Sequence, residues 1–107
     1  MPSVFQVEST TESREEAGKI AAVLVEKRLA ACVQVVGPIH STFRWEGRVQ
    51  DAEEFLLLCK VSAERLKEAT ALIEELHSYD VPEVLAFEVT DGSRSYLEWV
   101  ATEAKEQ

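Results

Sequence analysis

The sequence has few cysteines, no long apolar run and few basic residues for its length. Its 107 residues include only Cys32 and Cys59, which are too few for the disulfide framework of a small secreted domain. We therefore expect two free thiols in a reducing cytoplasm. No apolar run approaches the roughly 18 residues of a membrane-spanning helix. Residues 1–10 lack a basic region followed by an apolar stretch, so we expect no secretory signal peptide there.

Positively charged residues are also scarce. Acidic residues outnumber basic ones by 20 to 11, which gives a formal net charge of -9 at pH 7. Nucleic acids and anionic membranes prefer basic surfaces, so this balance argues against both as main partners. A cationic ligand is electrostatically easier to bind. Because the acidic residues are spread along the chain, solvated faces that favour solubility are the simpler explanation of them.

The short motifs of common enzymes are missing as well. The sequence contains no Gly-x-Ser-x-Gly, phosphate-binding glycine loop or paired-carboxylate motif. It also lacks close Cys-x-x-Cys or His-x-x-x-His spacing, so we expect no preformed structural zinc site. A nucleophile–base pair of Cys32 and His77 would have to form across the fold, and nothing local supports it. We therefore predict a protein that is not an enzyme.

The longest organised stretch is residues 29–61, in which two apolar-rich runs are joined at residues 45–48. Ile39, Phe43 and Trp45 alternate with polar residues at the spacing of a strand. The short connection contains glycine and predicts a β-hairpin, whose arms of about 14 residues would each measure about 46 Å. A chain of about 100 residues has a radius of gyration of about 13 Å, so this hairpin would extend beyond a monomeric globule. We therefore predict an oligomer with these three apolar residues at its interface.

One dipeptide, Gly37-Pro38, interrupts the first arm of the hairpin. Proline cannot donate to a sheet ladder, so we expect an edge strand with a bend at this position. If Glu46-Gly47 is a two-residue loop, a regular register places Gln34 opposite Cys59 and brings Cys32 diagonally near it. A bulge at the dipeptide would undo that pairing.

The other predicted elements complete a βαββαβ order with an added carboxy-terminal helix. They are strands at residues 4–8 and 84–89, and helices beginning near Ser13, at Ser62 or Ala63, and near Ser93. Ser13 and Glu16 form a capping-box pattern. This order predicts one domain, residues 1–107, with a ferredoxin-like α+β sandwich fold and both main helices on one face of an antiparallel sheet. Residues 55–58 form a continuous apolar run, so this strand has apolar side chains on both faces of the sheet. We therefore expect neighbouring subunits and the last helix to cover the face that the two main helices leave open.

Five short motifs are distributed along nearly the whole chain. They are Leu29-Ala30-Ala31-Cys32-Val33, Trp45-Glu46-Gly47, Lys60, His77-x-Tyr79-x-Val81-Pro82-Glu83 and Asp91-Gly92-x-x-x-Tyr96-Leu97-x-Trp99. In this order and spacing they resemble the CutA divalent-cation-tolerance family. The resemblance implies a tight homotrimer whose long hairpins reach across subunits, with an architecture similar to that of PII signalling proteins. It also implies a link to copper and other divalent metals.

Two positions differ from the usual pattern of that family. Ser78 stands where proline is common, which we expect to loosen the turn, and Cys59 stands where an aliphatic residue is usual. For Cys59, which lies among leucines, a buried core role is favoured.

The candidate metal ligands are Cys32 and His77. Thiolate favours Cu(I), and imidazole suits Cu(II) or zinc. For Cys32 a ligand role and a core role are equally supported, and the ligand role rests on the family resemblance alone. For His77 an ordinary interaction with the negative end of a helix is slightly favoured over metal binding.

A second set of candidates would line an intersubunit cleft: Trp45, Lys60, Tyr79 and Glu83. Tyr79 and Glu83 lie around Pro82 on a rigid loop, where polar groups often line binding sites. Trp45 is more readily explained as an oligomer anchor than as a group that stacks on a ligand. Burying the ammonium group of Lys60 requires a partner, for which we predict Glu83 or an anionic ligand.

Two hypotheses for the function follow. The first is a cytoplasmic homotrimer that binds divalent metal ions, copper in particular, in metal homeostasis. The alternative is a PII-like signalling or interaction module that binds a small ligand in its intersubunit clefts.

Overall fold

The computed structural model describes residues 2–106, in which four strands and three α-helices alternate in the predicted order. They are β1 Val4–Thr11, α1 Arg14–Glu26, β2 Cys32–Trp45, β3 Arg48–Ser62, α2 Leu66–Leu76, β4 Leu85–Val89 and α3 Arg94–Glu103, with a 3-10 turn at Ala63–Arg65. The prediction of an α+β class with a βαββαβ order is confirmed. No described helix is both long and apolar enough to cross a membrane.

The four strands form one antiparallel sheet in the order β2-β3-β1-β4. β2 is therefore an edge strand, as its proline predicted. Helices α1 and α2 pack on one face of the sheet, where Ile20, Leu24, Leu57 and Ile73 are among the largest fully buried side chains. Burying an aliphatic side chain of this size contributes about 1.5–3 kcal/mol, so this layer stabilises the protomer.

The hairpin of β2 and β3 gives the molecule its elongated shape. Trp45 pairs with Arg48, and the two residues between them, Glu46 and Gly47, have φ angles of 51° and 78°. Positive φ at both positions is what a two-residue hairpin loop with the twist of its strands requires. The longest dimension of the protomer is 44 Å, against 25 and 21 Å for the others. The predicted long hairpin is confirmed.

The register of the hairpin shifts at the predicted bulge. Between Val36 and Ile39 one extra residue of β2 is accommodated, so Val33 pairs with Cys59 and Gln34 pairs with Leu58. The regular register, with Gln34 opposite Cys59, is therefore wrong beyond the bulge. Since a shift of one residue moves side chains to the other face, Cys32 and Cys59 point to opposite faces of the sheet.

Packing against α1 holds the bulge in place. The guanidinium group of Arg14 donates to the carbonyl oxygen of Gly37 at 3.0 Å and lies 4.9 Å from the centroid of the Phe55 ring. A Cβ atom on Gly37 would lie 2.5 Å from Cδ2 of that ring. The glycine is therefore needed because the aromatic side chain occupies the space that a larger residue would fill.

The second face of the sheet is only partly covered. Val4, Leu97 and Val100 form a small core where α3 packs on one end of this face. Farther along the same face, Val36, Leu85 and Phe87 remain 44–49% exposed. The predicted open face, with the last helix covering part of it, is confirmed.

Candidate functional site

The loop that follows α2 is fastened to the sheet by the ring of His77. The side chain is fully buried; its Nε2 lies 2.7 Å from the carbonyl oxygen of Thr10, and the backbone N–H of Tyr79 donates to Nδ1 at 3.1 Å. A ring that accepts at Nδ1 and donates at Nε2 is the neutral tautomer with its proton on Nε2. Both ring nitrogens are thus engaged, and a metal ion would have to displace one of these hydrogen bonds.

The same loop is tied to the start of α1. The hydroxyl of Ser13 accepts from the backbone N–H of Glu16 at 3.1 Å, as the capping box predicts. The Glu16 carboxylate, however, accepts from Ser78, from its N–H at 2.9 Å and its hydroxyl at 3.0 Å. The reciprocal half of the box is therefore replaced by a long-range contact. The expectation that Ser78 loosens the turn is wrong, because the serine supplies two donors that hold it.

Tyr79 connects the loop to the hairpin. Its hydroxyl donates to Oε2 of Glu54 at 2.8 Å, and its ring centroid lies 4.7 Å from that of His77. Burial, followed by the hydrogen bond to Glu54, raises the pKa of the Tyr79 phenol above its ordinary value. The phenol therefore stays protonated and acts as a hydrogen-bond donor.

Two carboxylates, Glu54, which contacts this tyrosine, and Glu83, line the same space. Glu54 is only 8% exposed. Burial raises the pKa of Glu83, and the negative charges of Glu54 and Glu8 raise it further. These groups concentrate negative charge in a partly desolvated place, which favours a cation beside them.

The two carboxylates line a cleft of about 670 Å³ between the hairpin and the loop. Its lining residues are Thr10, Ser41, Thr42, Phe43, Trp45, Ala52, Glu54, Tyr79, Asp80, Val81 and Glu83. None of the described residues that line the cleft is basic. The cleft thus has a carboxylate region and an aromatic wall, both open to a ligand.

Three of the four residues predicted for an intersubunit cleft, Trp45, Tyr79 and Glu83, meet in this one. Lys60 does not: its ammonium group donates to Oε1 of Gln34 at 3.1 Å. Among the described residues, no carboxylate pairs with Lys60 within the protomer, so the pairing with Glu83 predicted for it is not formed there. The place of Lys60 in a cleft between subunits stays a prediction.

The two candidate metal ligands lie far apart. His77 bonds to Thr10, whereas Cys32 pairs with Lys60, which is opposite Gln6. Thr10 and Gln6 are four residues apart on β1, which corresponds to about 13 Å along the strand. One protomer therefore cannot place His77 and Cys32 on the same ion. No group of three or more His, Cys, Asp or Glu side chains converges on a metal position in residues 2–106.

Cys59 occupies the core position that its leucine neighbours predicted. It is fully buried, and burial raises the pKa of its thiol to about 12. Both cysteines are free thiols, as expected. A thiol with so high a pKa is not ionised at neutral pH, so Cys59 is chemically inert there.

Sequence reasoning missed Glu54, the most buried carboxylate of the cleft. Its position at the start of the apolar run of β3 placed it on the open face, but its contact with Tyr79 depends on tertiary structure. The sequence did contain a signal. Glu54, Leu56 and Leu58 alternate along β3 and therefore lie on the same face, so Glu54 is a charged side chain at the end of an apolar stripe. A glutamate at such a position needs a partner, and the phenol supplies it.

Comparison with known proteins gives a consistent result. The family model described as CutA1 divalent ion tolerance protein matches residues 5–103. The chain is 43% identical to a protein named Protein CutA, chloroplastic, of Arabidopsis thaliana, over 94% of this chain and 54% of that protein. It is 42% identical to the divalent-cation tolerance protein CutA of Thermus thermophilus, over 85% of this chain and 88% of that protein. The chain therefore spans about half the length of the plant relative and most of the bacterial one.

Solved structures agree with these sequence matches. The fold superposes on CutA from Xylella fastidiosa with a TM-score of 0.93 and 37% identity, covering 95% of this chain and 98% of that one. For the divalent cation tolerance protein of Thermus thermophilus the TM-score is 0.90 and the identity 39%, covering 94% and 97% of the two chains. With the family model matched over nearly all of the described residues, the chain belongs to the CutA1 divalent ion tolerance protein family.

Proposed function

We propose that this protein acts in divalent-cation tolerance as a single-domain homotrimer that binds a divalent metal ion without catalysing a reaction. Copper is the first ion to test. The proposal is supported by the family and by the names of its relatives. The observation that carries it is the pair of carboxylates, Glu54 and Glu83, in a cleft whose described lining residues include no base to neutralise them.

The chemistry of these groups suits a divalent cation. Carboxylate oxygens bind hard divalent ions, and Cu(II) accepts oxygen ligands together with nitrogen. Burial and the charges of Glu54 and Glu8 raise the pKa of Glu83, and a bound cation would oppose this by stabilising the ionised carboxylate. Two carboxylates are fewer ligands than a stable site needs, so water or a neighbouring subunit completes the coordination in this proposal.

Cys32 and His77 enter the proposal as separate candidate ligands. Cys32 has a partly buried thiol on the open face of the sheet, where a neighbouring subunit can add further ligands. His77 would have to give up its bond to Thr10 or to Tyr79. Of the two, Cys32 is the more accessible ligand.

The trimer is supported by the open face and the hairpin. Exposed apolar side chains on the long edge strand β2, among them Val36, Phe43 and Trp45, are the kind of surface that a partner subunit covers. Ile39, half-buried on the same strand, belongs to the same proposed interface. The number of subunits comes from the family resemblance.

Calorimetric titration of the EDTA-treated protein with Cu²⁺ and Zn²⁺ tests the metal proposal. We expect saturable binding that weakens roughly tenfold or more in Glu54→Gln and Glu83→Gln, as loss of a group that supports a metal site does. Glu26→Gln, an exposed glutamate at the end of α1, is the control. Binding that survives both cleft variants and disappears in Cys32→Ala moves the site to the thiol, and absence of saturable binding in the native protein overturns the proposal.

A second candidate function is a PII-like module that binds a small organic ligand. The specific observation in its favour is the size of the cleft, about 670 Å³, which lies within the range of small-molecule sites. Its aromatic wall of Phe43, Trp45 and Tyr79 adds apolar surface that a bare ion does not use. Binding that depends on Trp45 but not on metal supports this candidate.

A cytoplasmic location is also part of the proposal. Its support is the pair of free thiols, which persist in a reducing compartment. The relative from Arabidopsis thaliana is named chloroplastic, a location that belongs to that protein. Cell fractionation with antibody detection tests the location, and recovery outside the cytoplasmic fraction contradicts it.

A further inference from the structure

We draw no further inference here: the strongest candidate, the groove between the end of α1 and the outer side of α2, carries nothing because its buried Arg65 already donates to Glu68 at 2.8 Å and to carbonyl oxygens that follow α1, and nothing in the described residues that line it points to a ligand.

Discussion

The carboxylate of Glu16 accepts both the backbone N–H of Ser78, at 2.9 Å, and its hydroxyl, at 3.0 Å. These two bonds join the first turn of α1 to the loop that carries Tyr79 and Glu83. A proline at position 78 would have no N–H to donate. In this chain a serine and a distant glutamate together hold the loop that forms one wall of the cleft.

Removing the Glu16 carboxylate should loosen this loop. Glu16→Ala removes the acceptor of both bonds, and because Ser78 is exposed and water can take its place, we expect a loss of about 1 kcal/mol in the free energy of unfolding. Ser78→Ala removes only the hydroxyl bond and should cost less, about 0.5 kcal/mol. Urea unfolding at fixed protein concentration measures both, with the exposed neighbour Glu15→Ala as control. A Glu16→Ala variant no less stable than Glu15→Ala would show that the contact contributes nothing.

In the neutral form of His77 the ring proton should lie on Nε2. The tautomer follows from the bond of Nδ1 with the N–H of Tyr79 and of Nε2 with the carbonyl of Thr10. Long-range ¹H–¹⁵N correlation spectra distinguish the tautomers, and exposed His40 serves as the internal comparison. We also expect added Zn²⁺ to perturb the resonances of His77 less than those of His40. A proton on Nδ1 would contradict this arrangement.

Replacing Glu83 by glutamine should stabilise the metal-free protein at neutral pH. Burial and the charges of Glu54 and Glu8 raise the pKa of Glu83 above its ordinary value of 4.5. A carboxyl group with a raised pKa in the folded state contributes no destabilisation while protonated, and destabilises as pH rises through that pKa. The gain from Glu83→Gln should therefore be present at pH 7 and disappear below about pH 4.

Thermal unfolding of the Glu83→Gln variant and the native protein across this pH range, with EDTA present, measures the difference. Glu26→Gln provides the exposed control. The same gain at pH 7 and below pH 4 would mean that the ionisation of Glu83 is not its source.

An alanine at Gly37 should destabilise the protein. Its Cβ would lie 2.5 Å from Cδ2 of Phe55, and overpacking of this kind costs typically about 1–3 kcal/mol. Gly18 lies in α1, where an added Cβ would meet no atom within 4 Å, so Gly18→Ala should stabilise by about 0.5–1 kcal/mol. Unfolding in urea compares the two. Adding Phe55→Leu to Gly37→Ala should recover part of the loss, and strict additivity of the two changes would argue against the clash.

A charge on the open face should weaken the proposed assembly. Phe87, 49% exposed on β4, lies on the uncovered side of the sheet, so Phe87→Glu should shift the protein to smaller species in analytical ultracentrifugation. Val25→Glu places the same charge on a residue of α1 that is 42% exposed and lies on the helical side. It should leave the sedimentation unchanged. Smaller species with both variants would place the interface elsewhere.

Some features were predictable because they depend on residues close together in the chain. The alternation of Ile39, Phe43 and Trp45 and the Glu46-Gly47 loop predicted the hairpin, since strand spacing and loop conformation are local properties. Gly37-Pro38 marked the bulge for the same reason. Its effect on register was less accessible, because an inserted residue decides which partner each later residue meets.

The candidate site was only partly predictable. Tyr79 and Glu83 were identified from their position around a proline, and Trp45 from its place at the hairpin tip. Glu54 was missed, and a contact of Lys60 with Glu83 across subunits stays a prediction, because within the protomer Lys60 donates to Gln34. Which side chains meet is information that the pattern within one element does not contain.

By itself the sequence determined the order of the elements, the length of the hairpin, the cap of the first helix and the edge position of β2. Each depends on periodicity, loop chemistry or capping within a few residues. Only the tertiary structure decided that Tyr79 meets Glu54, that Ser78 meets Glu16 and that His77 meets Thr10. These partners are 25, 62 and 67 residues apart in the chain. Such contacts form only after helices and strands have packed, because packing sets the register and the distance between side chains.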